Sequence, residues 1–421
     1  METKRKMSKT NVLITEADVV GNKGAVAMLK CIINGIKEKH PDANITVTSK
    51  FLSNGLYKTD SFPIVNILFD SEQELDIALI KIWVWWILKK IGIKVDRLLR
   101  NNVTQTYLNS DLIISASGIS FTDEFGLINI YHFSKFIQIP LLLNKPVIKF
   151  TQSIGPFKTR YNKMLAKLTL KNVNVIMARG EQSFNNLKSI GIKKNTIELP
   201  DIVLTMEAHK SQSAQDCLTL LGEATIVGIT PNIVCKNLAP NNHYEMVLTG
   251  LCRHILEKHK NVKILLIPHS IEEGSIGKND DMSICKNIAN NIKDDKRLLV
   301  ENVVNYEPEE LKWLISNFDF FVGSRFHSLI ESVSSCVPSM AISWNTKYNE
   351  MMNWVNLKNN VIPIEKLELN NVINMFNNHF NNRTKMKAHL EKVLPDVKED
   401  AYKAINIINE YLNEKNKTSV R

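Results

Sequence analysis

The sequence predicts an α/β protein of two doubly wound domains facing a cleft. Three observations carry this. Short apolar, strand-like runs alternate with segments of helical apolar spacing through most of the 421 residues. The alternation stops once, in a polar stretch, and then resumes, which divides the chain in two. Polar, glycine-bearing loops follow the strands, at the carboxyl ends where open α/β sheets bind ligands.

The first strand is Asn11-Val-Leu-Ile-Thr15, followed by a glycine-containing loop, Val20-Gly-Asn-Lys-Gly24. Val26, Leu29, Ile32, Ile33 and Ile36 then recur at helical spacing, and Ile45-Thr-Val-Thr48 is the next strand. A β-loop-α-β unit of this kind implies a parallel sheet. The pattern continues with strands at 111–114, 146–150 and 173–177 and helices at 127–143, 161–170 and 181–190. Residues 207–222 turn polar and lose periodicity, so the reading is a domain over 1–206, a linker over 207–222 and a second domain over 223–395. The second series has strands at 225–230, 262–267, 318–322 and 339–343, with helices at 244–259, 283–292, 308–316 and 326–335. Residues 396–421 read as a C-terminal helix and tail.

Hydrophobic residues at 44% and charged residues at 23% suit an ordinary globular protein and exclude a wholly disordered chain. The formal charge of +10 favours anionic partners: phosphorylated metabolites, anionic lipid surfaces or nucleic acid. The basic residues are spread along the chain with no zinc-finger spacing or RNP-type motif, so nucleic acid is not expected. None of the six cysteines forms a CxxC pair, which suits buried thiols in a reducing cytoplasm. Residues 1–10 are basic with no apolar stretch of signal-peptide type behind them, so a cytoplasmic location is expected.

The loop Gly21-Asn-Lys-Gly24 opens a helix, where free N–H groups favour an anion or a polar sugar group; a tight turn is the plain alternative. Ser115 to Gly126, including Gly118, Asp123 and Glu124, is a polar loop after another strand. Thr151-Gln-Ser-Ile-Gly-Pro-Phe157 and Ala178-Arg-Gly-Glu181 hold matching places after later strands. Arg179 is then expected to turn its guanidinium into the cleft to clamp a carboxylate or phosphate, or else to form a surface pair. In the second half, Ile267-Pro-His-Ser270 and Gly323-Ser-Arg-Phe-His-Ser-Leu-Ile-Glu331 end strands. Ser324, Arg325 and His327 gather a hydroxyl, a cation and an imidazole at one helix start. No metal-ligand cluster is evident, so no obligatory metal is expected.

These motifs together resemble the polysaccharide pyruvyl transferases. The matching elements are Gly21-Asn-Lys-Gly-Ala25, Gln152-Ser-Ile-Gly-Pro-Phe157, Ala178-Arg179, Pro200-Asp201, Pro268-His269, and Gly323-Ser-Arg-Phe-His-Ser-Leu-Ile330 with Val337-Pro338 and Lys347. The resemblance implies Rossmann-like domains similar to those of GT-B glycosyltransferases. It also implies transfer of pyruvate from phosphoenolpyruvate to a sugar of a polysaccharide or glycan precursor, with ketal formation, phosphate release and no cofactor. His327 and Arg325, with His269 as a second acid/base, are the expected catalytic residues. Gln152, Arg179, Ser324, Arg325 and Lys347 are expected at the donor, and Gly21, Asn22, Gly24, Gly118, Asp123 and Glu124 at a glycan or lipid-linked acceptor. The first domain would take the acceptor and the second the donor. Ala25-Val26 and Ser117-Gly118-Ile119 depart from the acidic and glycine-rich residues many members carry there. A GT-B glycosyltransferase or sugar-nucleotide epimerase is the alternative.

The stretch Ile77 to Ile91 holds three of the six tryptophans, with Lys90, Lys94 and Arg97 close behind. Its apolar run is far short of the ~20 residues that span a bilayer. It reads either as an interfacial helix contacting the cytoplasmic membrane face or as a helix packed in the first core.

Overall fold

The computed structural model describes residues 9–19, 22–49, 55–59, 62–69, 71–271, 280–292 and 295–418. They form two compact units. The first comprises Met1–Val19, Met28–Asp201 and Tyr402–Arg421; the second comprises Val20–Ala27 and Ile202–Ala401.

In the first unit the elements run β1 (Asn11–Thr15), α1 (Lys23–Lys39, which begins in the second unit), β2 (Asn44–Ser49), β3 (Gly55–Thr59), β4 (Phe62–Phe69), α2 (Glu72–Lys90), α3 (Asn102–Asn109) and β5 (Leu112–Ser115). They continue with β6 (Ile119–Ser120), α4 (Gly126–Leu142), β7 (Val147–Ile154), α5 (Arg160–Leu170), β8 (Val175–Arg179), α6 (Glu181–Ser189) and β9 (Thr196–Leu199). The sheet order is β3-β4-β2-β1-β5-β7-β8-β9, with β6 paired to β7. Every described pairing is parallel except β3 with β4. β5 and β7 are buried along their whole length, because helices cover a doubly wound sheet on both faces and leave no polar side.

In the second unit the elements are α7 (Gln212–Leu221), β10 (Thr225–Thr230), α8 (Ile233–Leu238), α9 (His243–Lys258), β11 (Val262–Leu266), α10 (Met282–Asn291), β12 (Leu298–Val300) and α11 (Pro308–Ser316). They continue with β13 (Phe320–Gly323), α12 (Phe326–Ser334), β14 (Ser339–Ser343), α13 (Lys347–Trp354), β15 (Val361–Pro363), α14 (Leu369–Asn381) and α15 (Arg383–Thr418). All strands are parallel in the order β12-β11-β10-β13-β14-β15, a six-stranded Rossmann arrangement. Its order reverses between β10 and β13, so the loops after those two strands flank the switch point.

The structure differs from the expected domain limits in three places. Helix α7 stands where a linker was expected over 207–222; Ser211 caps it and Ala214, Cys217 and Leu221 bury one face. That helix is short, and its polar flanks hide its apolar spacing. Asn22 and the first turn of α1 belong to the second unit although they come soon after the first strand. The chain also returns to the first unit at Tyr402, where Tyr402 donates to Glu38 at 2.7 Å.

Gly35 on α1 makes this return close: a Cβ there would lie 2.6 Å from Ile405 Cγ2. Ile405 is almost fully buried. Ile405→Ala is therefore expected to lower stability by about 3 kcal/mol, through lost transfer energy and the cavity left behind. Urea unfolding followed by circular dichroism checks this; a change within a few tenths of a kcal/mol would show that the C-terminal helix is not needed by the first unit.

Candidate functional site

A polar cluster of the second unit lies at the carboxyl ends of its strands, and Asp281 is its hub. Asp281 is fully buried. Its carboxylate accepts from Arg325 Nε at 2.7 Å and Arg325 Nη2 at 2.6 Å. It also accepts from the backbone N–H groups of Ile233 (3.0 Å), His269 (3.3 Å) and Ser270 (3.0 Å). One carboxylate thus ties together the loops after β10, β11 and β13. The bidentate fork also fixes the plane of the Arg325 guanidinium.

Arg325 precedes α12, and His327 lies in that helix's first turn. His327 is half-buried, with its ring edge-on to Phe326. Gly24 closes over it: a Cβ on Gly24 would fall 2.1 Å from His327 Nδ1. The start of α1, which carries Gly24, is held by Asn22, which bridges to Ser270, and by Lys23 Nζ, which donates to the carbonyls of Val304 (2.8 Å) and Tyr306 (2.5 Å). Ser324 is buried, and its carbonyl accepts from Asn232 and from the Tyr348 hydroxyl. Lys347 Nζ lies over the rings of Trp344 and Phe326, at 4.8 and 5.1 Å from their centroids. The buried Thr230 hydroxyl, at the end of β10, makes no hydrogen bond among the described residues.

His269 is buried, and its Nε2 faces both carboxylate oxygens of Glu331, each at 3.2 Å. Glu331 projects from α12 and is also fully buried. The expected second acid/base is therefore enclosed with a carboxylate partner. Neither Asp281 nor Glu331 stands out as a site residue in the sequence. Glu331 left a readable trace, an acid within the apolar run Phe326, Leu329, Ile330 and Val333; Asp281 left none.

In the first unit, Arg179 does not act as a free cationic clamp. It is buried and paired with the buried Asp201 at 2.5 Å, and it donates to the Gly118 carbonyl at 2.7 Å and to Ser153 Oγ at 3.0 Å. A guanidinium enclosed this way needs a carboxylate beside it, and Asp201 supplies one. Arg179 thereby anchors the Gly118 loop to β7. Gln152 is buried, taking Ser120 Oγ at 2.6 Å and giving to the Ser115 carbonyl at 3.2 Å. Two further groups were not foreseen. Lys149, fully buried, lies 3.8 Å from Glu16 and donates to Ser115 Oγ at 3.1 Å. Burial pulls its pKa below the usual lysine value, partly opposed by Glu16.

Asn22 and Gly24, expected beside the acceptor in the first domain, belong instead to the second unit around His327. Gly21 lies outside the described residues. Glu124 is exposed. Asp123 binds back to the start of α5, accepting from Lys158 N–H (2.5 Å), Thr159 Oγ1 (2.6 Å) and Asn162 Nδ2 (3.1 Å). Burial raises its pKa, but these hydrogen bonds outweigh burial and hold it below the usual value. A depressed carboxylate stabilises the fold above the unfolded pKa and loses that contribution as pH falls through the folded one. Because solvent screens this partly exposed carboxylate, Asp123→Asn is expected to cost only about 0.5–1 kcal/mol at neutral pH, with the gap to wild type closing below about pH 4. Urea midpoints measured across pH test this; a gap independent of pH would mean the charge is irrelevant.

The cysteines form no disulfide among the described residues, and burial pushes Cys252 up to about 12. No group of three or more metal-binding side chains occurs among the described residues.

The polysaccharide pyruvyl transferase family model matches residues 22–346, from the Asn22 loop to the turn after β14. The chain belongs to this family. It is accordingly a transferase. It is 21% identical over 405 residues to the amylovoran biosynthesis protein AmsJ of Erwinia amylovora, covering 91% of this chain and 95% of AmsJ. Among solved structures it is similar to MnaA of S. aureus with UDP, at TM-score 0.58 and 10% identity over 96% of this chain and 97% of that one. HepE of Anabaena with UDP-glucose is similar at TM-score 0.54 and 12% identity, over 97% and 99%. At these identities the likeness shows the fold alone, the α/β fold of GT-B glycosyltransferases and related epimerases.

Proposed function

We propose that the protein transfers pyruvate from phosphoenolpyruvate to two hydroxyls of one sugar in an exopolysaccharide or its precursor. The observation that supports this best is the family match, which includes Arg325 and His327 at the switch point of the second sheet. The reading needs no cofactor, because the enol phosphate carries its own leaving group.

His327 donates a proton to the donor's methylene carbon, which becomes the methyl group. The C2 cation so formed takes a first sugar hydroxyl, whose proton returns to His327. Phosphate then leaves C2, the second hydroxyl adds, and its proton ends on phosphate or solvent. The products are one cyclic ketal and one phosphate. Arg325, held in plane and neutralised by Asp281, offers guanidinium N–H donors to the donor's carboxylate or phosphate, and Lys347 supplies the positive charge. Ser324 and the N–H groups at the start of α12 add donors.

The fold also supports a second reading, a nucleotide-sugar enzyme, since HepE was solved with UDP-glucose. Two labelled donors separate them. Incubation with a lipid-linked or polymeric glycan acceptor should transfer label from [14C]phosphoenolpyruvate and release an equal amount of phosphate. Label moving from a UDP-sugar instead, with none from phosphoenolpyruvate, would overturn the proposal.

A further inference from the structure

Helix α2 carries apolar residues on two opposite faces, and the two faces have different fates. Leu75, Ala78, Leu79, Ile82 and Trp85 are buried in the first core, and Trp85 Nε1 donates to Asp96 at 3.0 Å. Trp86 also packs against that core. Trp85 and Trp86 thus serve the fold, while Trp83 is exposed. The opposite face is the unexplained one. Ile77, Ile80, Val84, Ile87 and Ile91 are exposed by 51%, 62%, 43%, 51% and 67%. They recur at steps of three and four residues, so they form one continuous stripe rather than scattered surface residues.

Helix α4 lies beside α2, through hydrogen bonds from Tyr131 to Asp76 and from Trp83 to Gln138. Its first turn adds Leu127 and Ile128, exposed by 55% and 84%. From the middle of α2 onward the surface is basic: Lys81, Lys89, Lys90, Lys94, Arg97 and Arg100 are all exposed, with Lys89 and Lys90 lying 4.6 and 4.8 Å over the rings of Trp85 and Trp86. The single acid within residues 81–100 is Asp96, which the Trp85 indole engages. Three acids lie at the start of α2: Glu72 and Asp76 are matched by Lys135, and Glu74 is exposed at the end away from the basic cluster. No helix of the described residues is long and apolar enough to cross a membrane.

We propose that this face of α2, with the start of α4, docks the first unit onto an anionic lipid surface. The isoleucine stripe enters the headgroup boundary, and the lysines and arginines meet the lipid phosphates. The occupant is argued from charge. A stripe made for a second copy of the chain would place like charges together at its basic end unless the helices ran antiparallel, whereas an anionic surface satisfies the whole cluster at once. The proposal is independent of which donor the enzyme uses.

The test is co-sedimentation of the full chain with phosphatidylcholine vesicles, with and without phosphatidylglycerol. Binding is expected only to the anionic vesicles and should weaken as salt rises. The triple variant Ile80→Ser, Val84→Ser, Ile87→Ser should stay folded by circular dichroism and lose vesicle binding. The variant Lys81→Gln, Lys94→Gln should bind about fivefold more weakly per charge removed. Should the triple variant unfold, the single change Ile80→Ser, the most exposed site of the three, carries the same test. No binding by wild type, or binding unchanged in the serine variants, would overturn the proposal. A wild-type dimer that the serine variants convert to monomer, with no vesicle binding, would assign the face to a second copy and overturn it equally.

Discussion

Replacing His327 with alanine is expected to leave the second unit folded and to remove nearly all pyruvyl transfer. The side chain is half-buried at the start of α12, so its loss opens little core. Its chemistry is harder to replace. Imidazole is the side chain that gives and takes a proton near neutral pH, and the reaction needs one proton delivered to carbon and others taken from oxygen. General acid–base groups contribute roughly 10²- to 10⁴-fold, and a loss of that order in phosphate release is the expected reading. Gly24→Ala is a companion change. It leaves the imidazole in place but puts a methyl group where His327 Nδ1 now lies, so the ring must turn away. Misplacing a catalytic group by about 1 Å costs on the order of 100-fold. The two variants should therefore fail alike in turnover while retaining native circular dichroism. Full activity in His327→Ala would remove the residue from the chemistry. Full activity in Gly24→Ala would show that His327 needs no fixed position.

The alternation of strands and helices was readable because buried parallel strands leave short apolar runs and amphipathic helices leave a 3.6-residue period. Arg325 and His327 were readable because they sit at a strand-to-helix turn in a recognisable motif. Other features had no such local record. Asn22 and the first residues of α1 come within nine residues of the end of β1, yet their partners are Ser270, Val304, Tyr306 and His327, nearly 250 residues or more away. Arg179 and Asp201 were both visible in motifs, but only the fold shows that they meet and spend their charges on each other. Asp281 carries no motif at all, and its importance comes from five donors that converge on it from three loops. In α2 the sequence showed the tryptophans, while the exposed isoleucine stripe became distinct only once burial separated the two faces.

Asp281→Ala should give the largest loss of stability. The change removes the counter-charge of Arg325, whose side chain is only 17% exposed, and strips an acceptor from three backbone N–H groups. Breaking one side of a buried ion pair typically costs about 3–5 kcal/mol, because the remaining charge stays buried without compensation. Asp281→Asn keeps the shape and one acceptor oxygen but not the charge, so a loss of about 1.5–3 kcal/mol is expected. The contrast between single and double variants identifies the cause. If the cost lies in the stranded Arg325 charge, then adding Arg325→Met to Asp281→Ala should return part of the lost stability, since no uncompensated charge then remains. If the cost lies in the three loop N–H groups, the double variant should be no more stable than Asp281→Ala alone. Urea unfolding of the four proteins separates these cases, and an Asp281→Ala variant within about 1 kcal/mol of wild type would show that the carboxylate is no hub. Phosphoenolpyruvate titration of the Asn variant completes the argument. An Arg325 that is oriented by Asp281, rather than merely neutralised by it, should bind the donor more weakly there even though its own side chain is intact.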